Sequence, residues 1–470
     1  MEQTASALED PARDAPDFSP ESLSTLDEYA ANPRFIELQE ELRGVLFASA
    51  SSYDIGRQTT PDPKEARGDD AVHTSYSDHL ARVNIPKSRL IQYMQNWVVE
   101  CAPYLDKFDH EKHFGISVPI VSETSPALLY ALLAFSARQM ERKNSWTKNH
   151  DSLELYQESI RLLAPGMQAR DANMLVTACI LAVLELMSGS SKNWRRHIEG
   201  CATLFDLFRV NGFSGGLLQG VFWCYARMEV CGVIISAGTQ STVLPLGKWI
   251  PENDSQTDQD EFAASLFYRI GRQNSDMHAN WAVYLCAKAC DLLYKRTRFL
   301  ELQEYYHFEA RSFVVQWRRL WHDLQCWRET RPECMLPTMV SKDCNGMFPS
   351  ILFAHWPAIS CHQVYHAACI IALEMRPRSE AIPSPYASPV WHARRVCGIS
   401  LTNPHKASLI NAIQPLYLAG KLLTHRSEHL QMARLLKIIE QTTGWGALWR
   451  LRDLEAIWGY QTGEIASIIV

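Results

Sequence analysis

Cys361, His362, His366 and Cys369 share one short segment, and all four are of types that bind zinc. His362, His366 and Cys369 stand at i, i+4 and i+7, so a helix would bring the three to one face. The same face also suits inward packing, with Ala367 and Ala368 between larger side chains, and no His-Glu-x-x-His arrangement supplies a base. Packing is the preferred reading. His110-Glu111-Lys112-His113 lies between Pro103 and Gly115 and is expected as a solvated loop or helix end. Cys326, Cys334 and Cys344 are spaced by eight and ten residues. Structural zinc sites usually pair their ligands about two to four residues apart. Cys286 and Cys290, one helical turn apart, read as a buried stripe.

The run from Asn253 and Asp254 through Thr257 to Glu261 resembles the magnesium motif of all-α terpene cyclases. There Asn, Ser/Thr and Glu oxygens hold a diphosphate-bound ion. Pro251 places the run in a loop and helix start, and the surroundings are polar. The partner Asp-Asp-x-x-Asp motif is missing, because Asp69-Asp70 is followed by Ala71, Val72 and His73. Neither a G-x-x-x-x-G-K loop nor a G-x-S-x-G elbow occurs, and Gly212, Gly215, Gly216 and Gly220 read as a turn between two helices. No catalytic, cofactor-binding or metal-binding residue is assigned, no cofactor is expected, and the chain is read as not an enzyme.

The elements that would position these residues are helical. Asp151 with Glu154 reads as a capping box, followed by Leu153, Tyr156, Ile160 and Leu163 on one face. Asp171 opens the next helix. Its stripe of Leu175, Ala178, Cys179, Ala182 and Leu186 is apolar almost all round, which predicts a central position. Ile198, Cys201, Phe205 and Phe208 stripe a third, stopped at Asn211-Gly212. Proline is absent between Pro165 and Pro245 and from Glu252 to Arg331, the latter span suiting two or three long helices. The prolines at 377, 383, 385 and 389 make Arg376 to Pro389 a loop. A short apolar helix is expected from Arg34 to Ala48, and residues 51–75 read as linker. Strand alternation and βαβ patterns are absent. The expected fold is all-α: a single large multi-helix bundle over residues 86–470, preceded by a disordered acidic tail and linker over 1–85.

The composition agrees with a globule. Of 470 residues, 47% are hydrophobic and 21% charged, which excludes a mostly disordered chain or a disulfide scaffold. Residues 1–33 carry eight acids and one arginine, which leaves the rest almost neutral and without a whole-chain nucleic-acid footprint. The clusters Arg195-Arg196, Lys295 to Arg298, Arg318-Arg319 and Arg394-Arg395 are small, and Lys295 to Arg298 is short for a nuclear import signal. No basic-then-apolar leader opens the chain, and Met174 to Met187 is too short to cross a bilayer. The 13 scattered cysteines suggest buried free thiols in a reducing compartment. Arg138, Arg195 and Arg227 lie in apolar helical stretches and need partners. Glu141, Glu185, Glu199 and Glu229 are within reach in sequence; an acidic effector between helices is the alternative.

Five strings occur in order. They are Ser125-Pro126-Ala127-Leu128-Leu129 running to Glu141-Arg142-Lys143; Trp194 to Cys201; Val210 to Gly216 leading into Phe222 to Cys231; Trp391 to Ile399; and Thr443 to Arg450 with Trp458-Gly459-Tyr460. Together, over about residues 88–460, they resemble the fungal-specific transcription factor domain, the all-α regulatory region that follows a binuclear zinc cluster in many fungal transcription factors. That cluster uses two C-x-x-C-x6-C units. Here the first cysteine is Cys101 and no C-x-x-C occurs, so no DNA-contacting residue carries over. The resemblance implies a nuclear transcriptional regulator, pathway-specific for a fungal metabolic or secondary-metabolite gene set. It would act through protein partners of the transcription machinery, a DNA-binding partner or a homodimer, without a membrane. The zinc cluster is expected to be truly missing or encoded upstream of Met1. An all-α cyclase-type enzyme and a non-nuclear small-molecule sensor are the alternatives.

Overall fold

The computed structural model describes residues 32–55, 82–143, 150–168, 171–187, 194–253, 258–301, 310–341 and 347–469. The expected acidic tail and residues 56–75 of the expected linker fall outside them, while residues 51–55, also expected as linker, are helical. In chain order the helices are α1 (Pro33–Ile55), α2 (Lys87–Asn96), α3 (Ala102–Leu105), α4 (Ser117–Ser122), α5 (Pro126–Lys143), α6 (Asp151–Gln168), α7 (Asn173–Met187), α8 (Trp194–Leu207) and α9 (Gly216–Ile235). There follow α10 (Gln259–Gly271), α11 (Ser275–Glu301), α12 (Ala310–Glu329), α13 (Trp356–Glu374), α14 (Pro389–Thr402), α15 (Lys406–Gly420), α16 (Arg426–Thr443), α17 (Leu448–Trp458) and α18 (Glu464–Ile468). The all-α expectation holds. Strands are confined, among the described residues, to the antiparallel pair β1 (Met339–Ser341) and β2 (Ser350–Leu352), which alternation did not reveal because each has three residues.

Helix α1 shows that packed structure begins before residue 86. Phe35, Leu38, Leu42 and Leu46 form a buried stripe against α6 and α8. Gly200 on α8 lets the backbones approach, because a Cβ there would strike Leu46. The apolar helix read from Arg34 to Ala48 is this element, longer by seven residues at its end. The span 1–85 is therefore not tail and linker throughout.

Helix α7 is central, as its all-round apolarity predicts: Met174 through Glu185 are all buried. It packs against α5, α8 and α9. Helix α9 is long and apolar enough to cross a membrane by length and composition, but it lies in the core, with Phe222, Trp223, Tyr225 and Ala226 buried. The capping box at Asp151 does not form. Asp151 instead accepts from the Tyr93 hydroxyl at 2.7 Å, and Glu154 from the Asn84 amide at 2.7 Å. A carboxylate of a neighbouring helix, Glu141, takes the Ser152 amide at 3.0 Å. Tertiary partners outcompete the local motif.

The loop from Arg376 to Pro389 is present, and α10, α11 and α12 fill the long proline-free span. Gly215 caps α9 at φ 78°, which a side chain would resist, so the glycine-rich run is the expected turn. The core has two parts. One runs from α1 to α13; the other joins α13 to α14–α18 through Ile370, Val396, Leu416, Leu436 and Leu454. Helix α13 serves both and packs against α11, α14 and α15.

Candidate functional site

Helix α13 carries His362, His366 and Cys369 on one buried face, as their spacing predicts. Each is engaged separately. His362 donates from Nδ1 to the Ala358 carbonyl at 2.7 Å, so its Nε2 accepts from Arg331 Nη1 at 3.0 Å. His392 on α14 donates from Nε2 to the Tyr386 carbonyl at 3.1 Å. Its Nδ1 therefore accepts from His366 Nδ1 at 2.8 Å. That leaves His366 Nε2 to accept from Arg395 Nε at 3.3 Å. All three imidazoles are neutral in this chain of bonds. Burial, with arginine charge beside it, pushes His362 down to about 3 and His392 down to about 4, and burial and His392 hold His366 well below its usual value.

A metal cannot use these lone pairs without displacing a guanidinium and then sitting beside it. Burial also pushes the Cys369 thiol up to about 12, against thiolate formation. Among the described residues, no group of three or more His, Cys, Asp or Glu side chains is arranged to hold a metal ion.

The other sequence candidates disperse. His110 and His113 lie in turns, on Asp276 at 2.6 Å and on Asp109 at 2.8 Å. Cys286 and Cys290 are buried on α11, Cys326 is partly buried, Cys334 is exposed, and Cys344 lies outside the described residues. So do Asp254 to Thr257 of the cyclase-like run. Its Glu261 is exposed in the first turn of α10, whose cap is Asp258, accepting from the Asp260 amide at 2.9 Å.

The arginines that needed partners divide. Arg138 pairs with Glu141 at 3.7 Å and Arg195 with Glu199 at 3.4 Å. Glu229 accepts instead from the Tyr225 hydroxyl and from the Val243 and Leu244 amides. Arg227 donates to the Leu105 carbonyl at 2.6 Å and lies over the Phe108 ring, with no carboxylate partner among the described residues. It lines a cleft of about 120 Å³ with Met228, Cys231, Asn411, Trp445 and Trp449. The cleft lies where α9 meets α15 and the segment before α17. The buried Asn411 Nδ2 has no hydrogen-bond partner among the described residues. A cleft with apolar walls and a few polar groups is the usual form of a small-molecule site.

Residues 92–235 match the family model of the fungal specific transcription factor domain. That match covers less than half of the chain. A curated relative is the transcription activator AMTR1 of Alternaria alternata, 23% identical over 61% of this chain and 44% of its own length. The chain thus spans less than half the length of that relative. No solved structure matches.

The matched part of the domain runs from α2 to the end of α9, and Arg227 lies in its last helix. The markers near Trp391 and Trp445 and the α13 histidines lie beyond it. Trp223 is buried and donates from Nε1 to the Gly212 carbonyl at 2.8 Å. Sequence reading missed Arg328 and Arg331, because isolated arginines near a helix end give no periodic signal.

Proposed function

We propose that the chain is a transcriptional regulator, pathway-specific for a fungal metabolic or secondary-metabolite gene set, that acts in the nucleus and is not an enzyme. The observation that carries the reading is the domain match over residues 92–235, with the transcription activator as a relative. Regulation would pass through protein partners of the transcription machinery, a DNA-binding partner or a homodimer.

The basic clusters support indirect rather than direct action on DNA. They lie on four different helices, and acids already meet many of their members. Arg196 pairs with Glu40 at 3.1 Å, Lys295 with Asp291 at 2.8 Å, Arg318 with Glu380 at 2.7 Å and Arg394 with Glu428 at 2.6 Å. DNA affinity comes from neutralised phosphates, about six to ten in ordinary binders, and scattered paired cations do not supply them. The Arg227 cleft favours small-molecule control within the same reading. Fusion to a heterologous DNA-binding domain in a fungal nucleus tests the function by reporter output.

A further inference from the structure

Among the described residues, Arg331 and Arg395 form no ion pair with a carboxylate. Burial lowers both arginines; Tyr365, Cys361, Arg328 and Tyr386 lie near Arg331, and Arg331, Tyr386 and Tyr365 lie near Arg395. Their hydrogen bonds go to neutral acceptors. Arg331 donates to the Arg328 carbonyl at 2.6 Å and to His362, and Arg395 donates to His366. Arg328 lies over the Tyr386 ring at 4.1 Å, and Arg395 over Trp391 at 4.7 Å. Among the described residues one acid touches the group: Glu329, 65% exposed, on Arg328 Nη2 at 3.1 Å. Arg328 Nη1 is buried and has no acceptor among the described residues.

A guanidinium does not release its proton in a protein. Three positive charges therefore converge in a partly buried place, with one solvent-facing counter-charge. Like charges withdrawn from water repel strongly unless a counterion joins them. Elsewhere the chain meets this need with acids: buried Arg138 has Glu141, and buried Arg450 has Asp453 at 2.9 Å. Here the chain supplies histidines instead, and the arginines beside them keep those histidines uncharged. The remaining N–H groups of Arg331 and Arg395 have no acceptor among the described residues.

We propose that Arg328, Arg331 and Arg395 form a binding site for a phosphoryl oxyanion, free phosphate or a phosphomonoester. One guanidinium fork satisfies a planar carboxylate in bidentate fashion, whereas forks from two chain segments suit a tetrahedral oxyanion that offers oxygens in several directions. The bound anion ties the end of α12 to α14 across the histidine face of α13. The site stands on this chemistry whatever gene set the chain controls.

Titration calorimetry of the full chain with inorganic phosphate, at ionic strength held with chloride, tests the proposal. Saturable binding is expected at one equivalent, with a matching rise in the thermal midpoint. Arg331→Gln and Arg395→Gln should each lose about tenfold or more in affinity, the weight of a charge-assisted hydrogen bond. Arg318→Gln, on exposed α12 surface, should leave it unchanged. Should either glutamine variant fail to fold, Arg395→Lys keeps the charge, loses the fork, and should still weaken binding. Glycerol phosphate forms the second arm: binding equal to phosphate marks a site open to esters, and phosphate alone marks a free-ion site. No saturable binding, or equal binding by all variants, would mean an adventitious ion only and would overturn the proposal.

Discussion

His366 and His392 face each other Nδ1 to Nδ1 at 2.8 Å, so one imidazole donates to the other and neither carries charge. Protonating His392 would remove the acceptor in that bond, protonating His366 would remove the acceptor for Arg395, and either would place a cation near Arg395. The pair is a fixed cost at low pH rather than a proton store.

That cost has a sign and a window. His392 is held down at about 4 in the fold, mainly by burial, against about 6.5 unfolded. Between these values the unfolded chain binds the extra proton, so stability falls as pH drops. Asp106, raised to about 7 by burial, and Glu229, also raised by burial, act in the opposite sense. The histidine contribution therefore reads as a difference. The unfolding free energy of the wild type minus that of His392→Gln should be flat above pH 6.5, fall by about 1.4 kcal/mol per pH unit towards pH 4, and level off below. Denaturant unfolding across that range measures it. A flat difference throughout would mean that the imidazole is solvated.

Gly398 on α14 packs directly on the chain before β2, where an added Cβ would overlap the Pro349 carbonyl. Gly398→Ala must push the two apart in a core that cannot yield easily, at a cost of about 3 kcal/mol. Chemical denaturation should show that loss. A change under about 0.5 kcal/mol would show that the segment moves freely.

Glu440 on α16 is buried and accepts from the Ala447 amide at 2.7 Å and the Leu448 amide at 2.8 Å, capping α17 from outside its own sequence. Glu440→Ala leaves two donors without their acceptor and should cost about 2 kcal/mol. Hydrogen exchange should then show earlier opening of α17 than of α7. Unchanged protection in α17 would remove Glu440 from that role.

Purified protein should carry no stoichiometric zinc by elemental analysis, because the α13 imidazoles accept from arginines. One equivalent bound, lost in His362→Ala, would restore the metal reading of that face. With magnesium, no diphosphate should be released from prenyl diphosphates; turnover abolished by Asp254→Ala would restore the cyclase reading.

Helices that bury one or both faces were legible, because burial writes a period into the chain. The α7 stripe from Leu175 to Leu186 and the proline loop before α14 are examples. Partner choice was less so. Glu229 answers two backbone amides rather than an arginine, and Asp151 answers Tyr93 rather than its own helix start. A carboxylate meets whatever donor the fold brings near it, and sequence spacing reports only neighbours along one helix. The histidine face was found at the right residues, but not the hydrogen-bond partners that hold it. Arg331 and Arg395 arrive from two other segments, and no spacing within α13 announces them.

We infer that residues 88–460 regulate transcription without holding DNA themselves. Tethering the chain to a heterologous DNA-binding domain in a fungal nucleus, with the untethered chain run in parallel on duplex DNA at physiological salt, tests it most directly. Reporter output should change several-fold with the tethered chain, and the untethered chain should not shift DNA. A silent reporter with intact, folded protein, or tight sequence-specific DNA binding by the chain alone, would contradict the account.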